Sequence, residues 1–304
     1  MRIIPAILAL SAAATLARAE APLAVSHVAE NAYAIIGPFG QRDPENLGNN
    51  ASFGLIVTED GAVLIDAGGT RAGAMALHAA VKTVTDQPVR FVINTGGQDH
   101  RWLGNAYWKA QGARVIASQD AVADQTARAS MQLGALSQLV GDAAAGTEPA
   151  YADITFADDY TLALGGTTLR IIHPGAAHTP GDSFVWLPDA SVMFTGDIVY
   201  VGRILGVMEF SSSAAWVESF AAMAAYQPAH IVPGHGPATD LPTATRDTYD
   251  YLVNLRGRIA RHIEGGGDII GAVAVDQQAF SYLLDFDMLS RRNAQEVFSQ
   301  MEWE

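Results

Sequence analysis

Five short segments carry the polar residues of this sequence whose types and order could do chemistry. Asp66 closes VLID ahead of Ala67-Gly68-Gly69. Asn94 to His100 reads NTGGQDH behind the apolar run FVI. Ala177 to Asp182 reads AHTPGD, Phe194 to Asp197 reads FTGD, and Pro233 to Gly236 reads PGHG. Each has a plain role when taken alone. Asp99 would cap the helix that follows, and His100 would be an exposed first-turn residue. Asp197 and His235 would satisfy turn amides. Together, Asp99, His100, His178, Asp197 and His235 form one oxygen and nitrogen ligand set for zinc or a similar divalent ion.

The elements that must position them alternate short β-rich runs with helical stretches. Strands are expected at 32–37, 52–58, 62–66, 91–94 and 114–117. Helices are expected at 71–85, 102–111 and 119–139, the first with Ala72, Met75, Ala76 and Ala79 on one face. The helix at 102–111 should stop at Gly112. Residues 141–149 (GDAAAGTEP) are small, polar and breaker-rich, and read as the join between two halves. The same grammar then repeats, with strands at 162–164, 168–173, 183–186, 192–195 and 231–232. Helices are expected at 213–226 and 243–264, and a polar helical tail from Asp268. All five chemical segments therefore fall at strand ends, where loops on a rigid scaffold carry reactive groups.

Composition narrows the function further. Acidic residues number 32 against 18 basic, for a net charge of −14. A surface of that sign repels phosphate backbones, so nucleic acid is not an expected partner. Cysteine is absent, which removes disulfides, thiolate ligands and cysteine nucleophiles together. Arg2, the apolar stretch from Ile3 to Leu16 and the small residues around Ala17-Arg18-Ala19 read as a secretion signal cleaved after residue 19. The expectation is a periplasmic protein of one domain, 20–304, with no membrane anchor after cleavage. Its oligomeric state is left open.

The five segments, in this order, resemble the metallo-β-lactamase fold superfamily over nearly the whole chain from about Val25 to Glu264. The resemblance implies a four-layer αββα sandwich, an α+β fold of two similar halves, with a metal site along one edge between the sheets. It implies that His178 belongs to a first metal site, that His100 and His235 belong to a second, and that Asp197 bridges them. It makes Asp66 a supporting residue that hydrogen-bonds the metal loop.

One segment departs from the family's Asn-Thr-His-x-His-x-Asp-His pattern. Matched without a gap, Gly96 and Gln98 stand at the leading histidines, His100 at the Asp and Arg101 at the last His. Shifted by one residue, Thr95 and Gly97 stand at the leading histidines and Asp99-His100 at the Asp-His pair. Both leading histidines are lost either way, so the first site should hold no metal. In the ungapped register Arg101 would sit where a ligand belongs and repel a cation.

The sequence thus points to an exported one-metal hydrolase acting on a small molecule. It would hold zinc, or iron or manganese by supply, on His100, Asp197 and His235, with Asp99 as a further ligand in the shifted register. Hydroxide generated at the metal would attack an ester, lactone, thioester or amide carbonyl. Asp99, His178 and Asp197 are the catalytic candidates, with Asp66 and Gln98 in support. A catalytically silent binding protein on the same scaffold is the alternative, and a β-lactamase the third reading. Arg203 reads as a solvated surface residue, with contact to an anionic substrate carboxylate as the alternative, and His173 as a core histidine. Phe39, Trp102, Tyr200, Met208 and Phe210 would line a substrate pocket or pack elsewhere.

Overall fold

The computed structural model describes residues 23–304, so the expected secretion signal lies outside the described residues. The chain runs first through β1 (Ala24–Ala29), β2 (Ala32–Ile36), β3 (Ser52–Thr58), β4 (Gly61–Ile65), β5 (Val89–Ile93), β6 (Arg114–Ser118) and β7 (Ile154–Phe156). These pair in chain order into one sheet. β1 to β4 are antiparallel, and β4 to β7 are parallel. A second sheet follows from β8 (Asp159–Leu164), β9 (Thr167–Ile172), β10 (Phe184–Leu187), β11 (Val192–Phe194) and β12 (His230–Val232). Its order is β12-β11-β10-β9-β8. Only the β11–β12 pair is parallel there.

Apolar runs such as FGLI in β3 and AVLI in β4 are buried along their length, as strands covered on both faces must be. Ile56, Val63, Ile93 and Ile116 of the first sheet pack on Leu169, Ile171, Val185 and Phe194 of the second. Leu77 and Val81 of α1 (Arg71–Lys82) and Trp108 cover the outer face of the first sheet. Trp216, Leu252, Leu255 and Val297 cover that of the second. The layers are αββα, as expected. Thr70 caps α1 by accepting the Gly73 N–H at 2.8 Å.

Three local differences bear on the site. The single helix expected at 102–111 is two, α2 (Asp99–Trp102) and α3 (Asn105–Ala110). The turn after β4 presses on the break: Gly104 N–H donates to Gly68 O at 2.8 Å, and Ala67 N–H to Arg101 O at 3.1 Å. A β-carbon at Gly104 would strike the Ala67 carbonyl.

The helix expected at 243–264 starts earlier. After α4 (Gln119–Val140) and α5 (Ser213–Ala224) come α6 (Leu241–Ala244), a π-helical turn over Thr245–Tyr249, and α7 (Asp250–Glu264). The wider turn seats Thr248 Oγ1 against both the N–H and the C=O of Tyr200, at 2.9 and 2.6 Å. Asp247 accepts from Gly202 N–H at 2.9 Å. Such bulges recur beside functional sites.

The tail is more than polar. It holds α8 (Ile269–Ala272) and α9 (Phe286–Met301), and α9 buries Phe286, Ala294, Val297 and Phe298. The 141–149 segment precedes β7, so the chain changes sheets after Phe156. Strands β1 and β7 escape the hydrophobic pattern because β1 is an exposed edge and β7 has three residues.

Gly104→Ala should destabilise the protein by about 1–3 kcal/mol, because the added carbon meets backbone that must move. A urea midpoint equal to the parent's would refute that close approach.

Candidate active site

Asp66 follows β4, the 94–105 loop follows β5, and Asp197 and His235 follow β11 and β12. In both sheets these are carboxyl ends of parallel strands, where open α/β sheets place their sites. Ser52 N–H donates to Gly234 O at 2.8 Å, which ties the two sheets together at this edge. Asp66 holds a left-handed backbone, φ 69°, a conformation that costs a non-glycine residue about 1–3 kcal/mol. Its carboxylate compensates locally: Oδ1 accepts the Thr95 N–H at 2.8 Å and the Thr95 hydroxyl at 2.9 Å.

The centre of the site is a guanidinium. Arg101 is fully buried. It donates Nε to Asp197 Oδ2 at 3.1 Å and Nη2 to Asp197 Oδ1 at 2.6 Å, a bidentate fork. Nη1 reaches Asp66 Oδ2 at 2.8 Å and Ser52 O at 3.1 Å, and Nη2 reaches Gly234 O at 2.9 Å. Five bonds match the five N–H groups of the side chain. Burial disfavours its charge, but Asp197 and Asp66 outweigh that and keep it a cation. Asp197 is buried too, and Arg101 and His100 hold it well below the usual carboxylate range. Burial wins at Asp66, whose carboxyl is pushed up despite Arg101 and Thr95. Arg101 therefore does not stand as an unpaired charge facing a metal. Its charge is spent on two aspartates.

Across Asp197 from Arg101 lie two histidines. His100 Nε2 is 3.3 Å from Asp197 Oδ2, and His235 Nε2 is 3.2 Å from Oδ1. His100, Asp197 and His235, all buried, are the group whose ligand atoms lie close enough to share one ion. His235 donates Nδ1–H to Asn50 O at 3.0 Å, so its Nε2 turns a bare lone pair toward a carboxylate. His100 Nε2 is buried without a hydrogen-bond partner. His100 Nδ1 lies 3.0 Å from Asp99 Oδ1 and 2.7 Å from Arg42 Nη2. Protonated there, Nδ1 donates to Asp99 and leaves Nε2 free for a ligand. Unprotonated, it accepts from Arg42 and sends an Nε2 proton toward Asp197. A buried set of two imidazoles and a carboxylate, with one nitrogen left unpartnered, fits a divalent cation.

The structure places the other sequence-derived residues differently. Asp99 lies outside that group. Its carboxylate pairs with Arg42, and Arg42 and His100 overcome its burial to keep it charged. His178 lines the same cavity but is not in the group of three. It donates Nδ1–H to Gly206 O at 3.0 Å, and burial lowers its pKa to about 4 against the pull of Asp197. Gln98 lines the cavity with its Oε1 unpartnered.

His100 facing Asp197, with Arg101 beside it, is the ungapped arrangement. In that register the leading histidines' places fall to Gly96, which a neighbour closes off, and to Gln98, which faces the cavity. A side chain at Gly96 would run into Asp182, and one at Gly97 into Asp124. Asp182 is fully buried, accepts from Thr179 N–H at 2.8 Å and also meets the Thr179 hydroxyl. Burial, and then Asp197, push its pKa up to about 8.

A cavity of about 140 Å³ opens over the histidines, lined among others by Arg42, Tyr200, Arg203, Met208 and Arg292. Tyr200 stacks on His235. One expectation is corrected here, and one open alternative is decided. Arg203 is buried and paired with Asp285 at 3.1 Å, not a solvated surface residue. Trp102 is fully buried, bonds Gln132 and stacks on Tyr151, away from the cavity. Phe210 lies under the Arg128 guanidinium and against His178, Phe39 is exposed, and His173 donates Nδ1–H to Asp182 O and faces Asp120. Arg42 and Arg292 escaped the sequence reading because no local pattern distinguishes a pocket arginine from a surface one.

A family model described as the metallo-beta-lactamase superfamily matches residues 48–235. Among solved structures, the chain is similar to a metallo-beta-lactamase from Pontibacter korlensis. That match has 23% identity and a TM-score of 0.62, and covers 76% of this chain and 99% of the other. It is also similar to the DIM-1 metallo-beta-lactamase at 18% identity and a TM-score of 0.59, over 76% of this chain and 97% of that one. At those identities the likeness to the two structures is one of fold.

Two outcomes follow from this geometry. Arg101→Ala should cost about 3–5 kcal/mol in urea unfolding, since it strands two buried carboxylates; a loss under about 1 kcal/mol would show the guanidinium to be dispensable. Asp182 holds its proton in the folded state up to about pH 8, whereas its ordinary value is 3.8. The folded state thus binds the extra proton between those values, and this contribution to stability falls as pH rises through them. Asp182→Asn should lack that decline, so the variant should gain on the parent from pH 5 to pH 9. A stability difference independent of pH would refute the raised carboxyl.

Proposed function

The chain belongs to the metallo-β-lactamase superfamily, and from that premise we propose that it is a metal-dependent hydrolase working with a single ion. The observation that carries the reading is the buried trio of His100, Asp197 and His235, whose ligand atoms lie within 4.8 Å of one another, with His100 Nε2 unpartnered. These three residues would hold the ion. A bound divalent cation supplies Lewis acidity to a carbonyl and to water. Its identity follows supply among zinc, iron and manganese.

The remaining roles belong to the chain's own side chains. Asp99 orients His100 through Nδ1 and acts through that ring, as carboxylates behind ligating histidines do. Arg42 holds Asp99 in place for that task. Asn50 O and Gly206 O fix the tautomers of His235 and His178, so both rings turn Nε2 away from the backbone. His178, kept neutral by burial, takes a hydrogen bond from a polar ligand group at Nε2. Tyr200, stacked on His235, and Met208 exclude water from one wall. The ligand is an ester, lactone, thioester or amide placed with its carbonyl over the trio. The same reading keeps residues 1–19 as a secretion signal and the periplasm as the place of work, on the n-region, apolar stretch and small residues of that segment.

One observation favours a silent binding protein instead. Arg101 engages both oxygens of Asp197, so an ion must share that carboxylate with a guanidinium. Metal content separates the two readings. After incubation with zinc and desalting, the parent should retain about one equivalent by elemental analysis, and His100→Ala and His235→Ala should retain none. Zinc absent from the parent, or retained equally by both variants, would end the single-ion reading and leave the binding protein. With the equivalent in place, an ester and lactone screen should give turnover that a chelator abolishes.

A further inference from the structure

The cavity above the trio is walled by cations in a chain whose net charge is −14. Arg42 comes from the 37–50 loop, Arg203 from the stretch after β11, and Arg292 from α9. No aspartate or glutamate is among the lining residues. The Nε–H groups of Arg42 and Arg203 are buried and lack any partner, although a buried donor left unpaired is destabilising. Arg203 feels Arg42 as a like charge, on top of its burial. Guanidiniums gathered on one cavity are the arrangement that an oxyanion resolves, because such a fork bonds a carboxylate through paired N–H groups.

The charge count selects among oxyanions. Asp99 balances Arg42 and Asp285 balances Arg203. Arg292 is exposed, with no ion pair or hydrogen bond among the described residues. One cation is therefore unmatched at the mouth, and Asp197 lies below. A monoanion is compensated there, while a dianion meets repulsion. The volume sets the size: the cavity of about 140 Å³ is close to the roughly 150 Å³ that encloses a benzene ring. Met208 and Leu289 give it an apolar side.

We infer that this pocket binds a small molecule carrying one carboxylate, held by Arg42, Arg203 and Arg292, with a body about the size of a six-membered ring over His100 and His235. This rests on the hydrolase reading only in naming the substrate class, a carbonyl compound bearing its own carboxylate. The binding claim stands without turnover. Arg42, Leu289 and Arg292 all lie outside residues 48–235, the span of the family match. The carboxylate wall is thus assembled largely from parts of the chain that the family match does not reach.

The test is calorimetric titration of the full chain at low ionic strength with benzoate, its neutral analogue benzamide, and the dianion-forming phenylphosphonate. Each titration is run on zinc-incubated and on chelator-treated protein. Benzoate should bind about tenfold or more tighter than either of the others in both preparations. Arg203→Gln and Arg292→Gln should each weaken benzoate about fivefold or more, with zinc content unchanged from the parent. Arg292 is exposed, so its variant reports even if Arg203→Gln fails to fold. Several results would overturn the inference: no benzoate binding, equal affinity for benzamide, tighter binding of phenylphosphonate, or an unaltered Arg292→Gln. Benzoate binding confined to zinc-loaded protein would also overturn it, by placing the carboxylate on the metal. Benzoate bound by a protein that retains no zinc would sustain the pocket and end the hydrolase reading. Zinc retained without benzoate binding would do the reverse.

Discussion

The buried guanidinium of Arg101 is the constraint on which the site depends. Asp66 comes from the first sheet and Asp197 from the second, and neither carboxylate reaches water. One side chain bonds both and also takes the carbonyls of Ser52 and Gly234, one from each half. Removing such a charge leaves the others uncompensated in a low-dielectric interior, which is why a buried pair is costly to break even where it adds little net stability. The sheet edge, the Asp66 backbone and the Asp197 orientation all follow from that one cation. A lysine could not replace it, because an ammonium has three donors and no planar fork.

With Asp197 gripped on one side, its remaining lone pairs are offered to His100 and His235 on the other. The two rings reach it at nearly equal distances, 3.3 and 3.2 Å. Their outer nitrogens are spoken for by Asp99, Arg42 and Asn50. The trio is thus oriented by hydrogen bonds made away from the cavity, and its free nitrogens face a common point. The glycines at 96 and 97 have the opposite effect on the neighbouring position. They let Asp182 and Asp124 close into space that longer side chains would take. The raised pKa of Asp182 records how far that space is from water.

The cavity itself is built late in the chain and early in it. Arg42 precedes the first buried strand of the site and Arg292 sits on the final helix. The π-helical turn that holds Tyr200 through Thr248, and Gly202 through Asp247, links the C-terminal helices to the cavity wall. The apolar face of α9 docks on the second sheet's helical layer, and this fixes the place of Leu289 and Arg292.

Much of this was legible in the linear sequence. Buried strands announce themselves as short apolar runs, and β3, β4, β5 and β6 fall within a residue or two of where those runs predict. His100, His178, Asp197 and His235 stood out because reactive residues at strand ends sit among glycine and proline turns. The αββα layering came from the resemblance those segments carry. The order of Asp99, His100 and Arg101 was also plain, but the direction each one faces was not. A two-residue shift along a four-residue helix rotates a side chain by about 200°, so the choice among them belongs to the backbone around Gly104. The sequence cannot say that Arg101 is buried between two aspartates, that Asp99 turns to Arg42, or that Asp182 fills the place beside Gly96. Nor can it bring Arg42, Arg203 and Arg292 to one cavity. Composition and periodicity report which residues prefer water. Which charges gather at one cavity is decided between residues up to 250 positions apart, and only the folded chain brings them together.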